Sequence, residues 1–192
     1  MRIKINFFSV MLALSLFITE GWEILFIIFP AILHELGHLI AAKACKVGIR
    51  EMSVTILGAR ISLDGYYSYF DEFIISHCCH LVNIICVILT AIYLRYSKMS
   101  NISYLFFSSS LSLALTNLMP IKSFDGGRML QSILLKKFQI SYANIIISAT
   151  SFVTLFSLWS VSVYFLLRFN TSLSLFIFSI SLFSNIFITK SV

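Results

Sequence analysis

From Trp22 to Ala44 the sequence stays apolar for long enough to cross a bilayer as one helix, for which about 20 residues suffice. The middle of that run holds His34-Glu35-Leu36-Gly37-His38. A backbone in hydrocarbon must satisfy its own hydrogen bonds, so a segment of this kind is held to a helix or a closed barrel. An ionisable side chain at that depth costs on the order of 2.5–3.5 kcal/mol on insertion scales, and a chain that keeps several of them has a use for them.

The rest of the chain follows the same rule. Over 192 residues, 59% are hydrophobic, 11% are charged and the mean hydropathy is +0.95, beyond what a water-soluble domain can cover with polar surface. Apolar spans run over about 5–19, 22–44, 73–94, 102–119, 143–167 and 171–189. Alternating segments of roughly ten residues, the mark of a barrel, are missing from the sequence. The expected fold is an all-α polytopic membrane protein of about six transmembrane helices. A single membrane-embedded domain is expected over 1–192, with a core of about 22–130 and additional helices over 1–20 and 140–190. The first span resembles a signal peptide, but Glu20-Gly21-Trp22-Glu23 offers no small-residue cleavage site, so it is expected to stay as a helix.

With the N-terminus in the cytoplasm, the inner segments collect eleven Lys and Arg, and the outer ones keep only Arg95, Lys98 and Arg168. This positive-inside bias predicts a multi-pass protein of the cell membrane with both termini cytoplasmic. The same scatter of charge explains the net +6 without a nucleic-acid partner, and the oligomeric state is left open. Between the second and third spans, REMSVTILGARISLDGYYSYF alternates β-branched and polar residues, with Gly58 and Asp64-Gly65 as turn signals. A small β-hairpin at the cytoplasmic membrane surface is expected there. Residues 128–139 read as a short interfacial helix. Cys45, Cys78, Cys79 and Cys86 form no C-x-x-C pair and read as free thiols in apolar surroundings.

His34 and His38 stand four residues apart, so on a helix they lie one turn apart on one face and two imidazoles can grip one ion. Glu35 projects about 100° around the helix, near such an ion without having to bind it, which suits a general base. Gly37 removes a side chain where another backbone approaches. Composition alone yields this pattern by chance with a probability of about 0.002. A catalytic zinc wants a third protein ligand and an open position. Asp125 stands out among the remaining carboxylates because it follows a span in NLMPIKSFDGGRML, after Pro120 and before Gly126-Gly127. His77 and His80 are the other histidines and read chiefly as structural or interfacial.

HELGH in an early span, then Asn117-x-x-Pro120 and Asp125-Gly126-Gly127-Arg128, resembles the site-2 protease family of intramembrane zinc metalloproteases. The small six-span layout is similar to the sporulation members of that family. The resemblance implies His34, His38 and Asp125 as zinc ligands, Glu35 as the base and Asn117 as a substrate-positioning group. It implies a membrane-tethered protein substrate, such as a sigma-factor precursor, and a lipid environment. Two departures stand out. The Gly-Pro-x-x-Asn common between the zinc motifs is Cys79-His80-Leu81-Val82-Asn83 here, which leaves Asn83 as a weaker substrate-contact candidate, and Ser123 replaces a common proline two residues before the aspartate.

The rival from another class is a non-proteolytic metal-binding membrane protein or metal transporter. A transport path calls for polar residues along several spans, and these spans offer mainly Ser and Thr beyond the cluster.

Overall fold

The structure is a computed structural model that describes residues 2–5, 11, 15, 17–18, 21–55, 58–97, 100–169, 176, 179–180 and 182. The described elements are β1 (Arg2–Ile5), α1 (Glu23–Ala44), β2 (Gly48–Thr55), β3 (Gly58–Asp64), α2 (Tyr69–Tyr96), α3 (Asn101–Leu118), α4 (Asp125–Lys137) and α5 (Ile140–Phe169). They fall into two compact units, Met1–Leu118 and Met119–Val192.

In the first unit α1, α2 and α3 pack against one another. Pro30 lies inside α1 and leaves the Phe26 carbonyl without its usual helical donor. The Ser109 hydroxyl of α3 donates to that carbonyl at 3.4 Å. About four turns after Pro30 the helix stops in a Schellman motif: Val47 N donates to Ala42 O at 2.9 Å and Lys46 N to Lys43 O at 3.1 Å. Lys46 takes the left-handed position with φ of 57°. The chain thereby turns into β2. Ile49 and Leu63, opposite each other across β2 and β3, pack with Val47 on Ala41, Ala42 and Ile75.

The hairpin expected from the alternation is present, with β2 and β3 antiparallel from Gly48↔Asp64 to Thr55↔Gly58. Gly58 is the first residue of β3 and not part of the turn, while Gly65, with φ of 82°, ends the strand as expected. The sheet has a third strand that the sequence expectation lacks. Arg2–Ile5 pairs parallel with β2 where a helix is expected to begin. Arg2-Ile3-Lys4-Ile5 carries the strand period of two, and Lys4 Nζ sits 2.8 Å from Glu51 Oε2 across the pair. A capping box then starts α2: Ser68 Oγ accepts from Asp71 N at 3.1 Å, and Asp71 Oδ2 accepts from Ser68 N at 2.9 Å.

In the second unit, α4 and α5 are in contact, and Ile121, Leu155 and Leu182 form a core with Met119 and Phe124 against it. The expected interfacial helix begins three residues early, at Asp125, so Gly126-Gly127 form the first helical turn instead of a loop.

Three described helices are long and apolar enough to cross a membrane: Glu23–Ala44, Tyr69–Tyr96 and Ile140–Arg168. Apolar residues at helical spacing, such as Ile32, Leu36 and Ile40 on α1, are exposed, as lipid-facing side chains must be. Three of the six expected spans are therefore found among the described residues. Helix α3 occupies the expected fourth span, but Ser103, Ser108, Ser109, Ser110, Ser112 and Thr116 lower its apolarity. Most of the expected first and sixth spans lies outside the described residues.

Candidate metal centre

Gly37 brings α1 and α2 together. A Cβ at this position would lie 2.8 Å from the Cys79 Cα, so only glycine lets the two backbones come this close. On either side of that contact stand His34 and His38, with rings 5.1 Å apart and nearly perpendicular. Both are buried, at 3% and 5% exposure.

Each ring meets α2 through its Nδ1. His38 Nδ1 is 3.1 Å from the Ile75 carbonyl oxygen. A carbonyl only accepts, so Nδ1 carries the proton and Nε2 keeps the lone pair that a metal needs. His34 Nδ1 is 2.9 Å from Asn83 Nδ2, and its Nε2 is 3.3 Å from Asn117 Nδ2 in the last turn of α3. Thus the first unit gathers His34, His38, Asn83 and Asn117. Glu35 is half-buried on the same helix, next to the two imidazoles in sequence.

Two residues nearby carry little signal in the sequence. Cys79 Sγ and the ligating nitrogens of His34 and His38 all lie within 4.8 Å of one another. Its thiol donates to Ser76 O. The His80 ring is 6.5 Å from that of His34 and is buried. Their spacing of one helical turn from Asn83 could have flagged them only once α2 was known to face α1. His77 stacks on Phe73, one turn before it, as a structural residue does. Cys45, beyond the end of α1, has its thiol pushed up by burial, then by the Asp71 carboxylate and Cys78, which keeps it protonated.

Asp125 belongs to the second unit, as the buried first residue of α4. The helix N-terminus favours its negative charge. The preceding loop is fixed by Ser151, whose hydroxyl accepts from Lys122 N at 2.9 Å, and by Gly127, where a Cβ would run into the Ile121 carbonyl. Two imidazoles together with a buried carboxylate are the donor chemistry of a catalytic zinc.

The family model described as Peptidase family M50 matches residues 70–161, which include Asn83, Asn117 and Asp125 but not the His34–His38 motif. Among solved structures, the chain is similar to the site-2 protease from Methanocaldococcus jannaschii. The identity is 22% and the TM-score 0.65, over 94% of this chain and 86% of that one. At that identity the likeness establishes the fold. No curated protein matches the chain. The family match supports a metallo-endopeptidase and implies a catalytic metal, and with the three apolar helices it indicates a membrane protein.

Proposed function

We propose that this chain is a zinc-dependent intramembrane endopeptidase that hydrolyses a peptide bond in or near a transmembrane segment of a membrane-tethered substrate. The observation that carries this reading is the pair of motif histidines on a membrane-length helix. Their Nδ1 atoms are engaged by the next helix, and the Ile75 carbonyl at His38 Nδ1 keeps the lone pair of that ring on Nε2. His34, His38 and Asp125 are the ligands. A bound zinc supplies Lewis-acid polarisation of the scissile carbonyl and makes water a nucleophile near neutral pH. Glu35 takes the proton of the attacking water and hands it to the leaving amine. Asn117, on the Nε2 side of His34, positions the reacting segment by donating from its amide.

A substrate helix must unwind before its carbonyl can be attacked, since its backbone is internally hydrogen-bonded. The terminal strand β3 offers an edge on which an unwound segment adds as a further strand. Unchanged cleavage after deletion of 54–63 rejects that part. The chain is multi-pass with both termini cytoplasmic, which accords with the charge bias. The resemblance seen in the sequence to the sporulation members of the site-2 protease family suggests a sigma-factor precursor as the substrate.

Glu35→Gln tests the reading. It removes the base and keeps the shape, so cleavage should fall by about 10²–10⁴-fold with zinc still bound. A comparison of membrane proteomes with and without this substitution identifies the substrate as a protein that loses cleavage. Full cleavage by the variant rejects Glu35 as the base.

A further inference from the structure

We propose that Asn83 is a positioning residue for His34: its side-chain oxygen accepts the Nδ1 proton of the ring and so fixes the tautomer that presents Nε2 to the metal. By resemblance Asn83 is a candidate substrate contact, but it is wholly buried. Its amide stands 2.9 Å from His34 Nδ1, on the side of the ring away from the nitrogen near Asn117.

The assignment follows from the chemistry of an imidazole. With the amide nitrogen facing the ring, Nδ1 would have to accept, and the ring proton would move to Nε2. Neither nitrogen would then have a lone pair for a metal. Turning the amide by half a rotation places Oδ1 against an Nδ1–H and keeps the ring's lone pair on Nε2. The nitrogen and oxygen of an amide occupy almost the same shape, and hydrogen-bond logic decides between them. Asn83 Oδ1 is buried with no hydrogen-bond partner, so the oxygen gives up nothing in turning.

The neighbouring histidine shows the same arrangement without ambiguity. Ile75 O faces His38 Nδ1 and can only accept. Ile75 and Asn83 stand on α2, two turns apart, on either side of the Gly37–Cys79 contact. One helix therefore supplies an acceptor to each metal-binding ring. Such partners orient a ligand and raise its basicity, and their loss costs 10–100-fold in metal affinity.

The inference rests on the metal-centre reading, and the test separates the two. Zinc affinity is measured by chelator competition on the full-length protein in detergent, for the unaltered chain, Asn83→Leu, Asn83→Asp and His34→Ala. Asn83→Leu should bind zinc about 10–100-fold more weakly. Asn83→Asp keeps an acceptor and lacks a donor, so it should hold zinc at least about tenfold more tightly than the Leu variant. Helix content by circular dichroism checks folding, and Asn83→Ala carries the same expectation should the Leu variant not fold. Equal loss in the Leu and Asp variants overturns the inference, as does unaltered affinity in the Leu variant, provided His34→Ala loses zinc. Retention of zinc by His34→Ala overturns the metal-centre reading, and this inference with it.

Discussion

Gly37 and Cys79 meet backbone to backbone, and a methyl group on Gly37 would lie 2.8 Å from the Cys79 Cα and 3.1 Å from Val82 Cγ2. Alanine is the better helix former, so Gly37→Ala should gain stability by propensity alone. It should lose instead, because the first contact is with backbone that has no rotamer to change. Overpacking of this kind costs about 1–3 kcal/mol. Parting α1 from α2 also draws His38 away from Ile75 O and His34 from Asn83. Equilibrium unfolding in detergent should show the loss, and zinc titration should show weakened binding.

Lys46 supports a prediction of the opposite sign. It ends α1 in the left-handed region, where a Cβ crowds the following carbonyl. Glycine removes that penalty and keeps both Schellman hydrogen bonds. Lys46→Gly should raise stability by about 0.5–1 kcal/mol after the extra freedom of glycine in the unfolded chain is set against the gain. A denaturation midpoint at or below that of the unaltered chain rules this out.

The grouping of His34, Glu35 and His38 was legible in sequence because their spacing is a property of one helix and needs only 3.6 residues per turn. The role of Gly37 was legible for the same reason, since a glycine in a helix signals close approach. What the approach is to, and hence the acceptors on Ile75 and Asn83, depends on which helix lies opposite. A backbone carbonyl such as Ile75 O has no sequence signature at all. The hairpin was legible from its period of two, whereas β1 was not, because a four-residue strand beside an apolar run looks like the flank of a helix. The expected fourth span falls short of a membrane helix's apolarity because hydroxyls that back-bond within a helix, as Ser108 to Leu105 O and Thr116 to Ser112 O do, leave a helical pattern intact while lowering its apolarity.

Metal removal should separate the catalytic reading from the structural one. A ligand that binds only the folded chain stabilises it by about 2.7 kcal/mol when present at 100 times its Kd. Zinc at that excess should raise the unfolding free energy of the chelator-stripped protein by this amount and restore cleavage. His38→Ala should show neither effect. Stabilisation of that variant equal to that of the unaltered chain would place the zinc elsewhere.

Gly127 supplies the sharpest steric prediction in the second unit. It lies in the first turn of α4, where alanine gains up to about 1 kcal/mol over glycine by propensity. A Cβ there would run into the Ile121 carbonyl and approach Lys122 N at 2.8 Å. That loop is already held by the Ser151 hydroxyl at Lys122 N, so it cannot move aside without breaking a part-buried hydrogen bond. Gly127→Ala should therefore lower stability by about 1–3 kcal/mol, and it should abolish cleavage by displacing Asp125, two residues earlier. Gly48 provides the control: a Cβ there meets Asp64 Cβ at 3.5 Å, an ordinary contact, so Gly48→Ala should leave unfolding and cleavage nearly unchanged. Cleavage assays and denaturant unfolding on the two variants check the contrast, and equal behaviour of the pair would show that the 121–127 segment yields more readily than its packing implies.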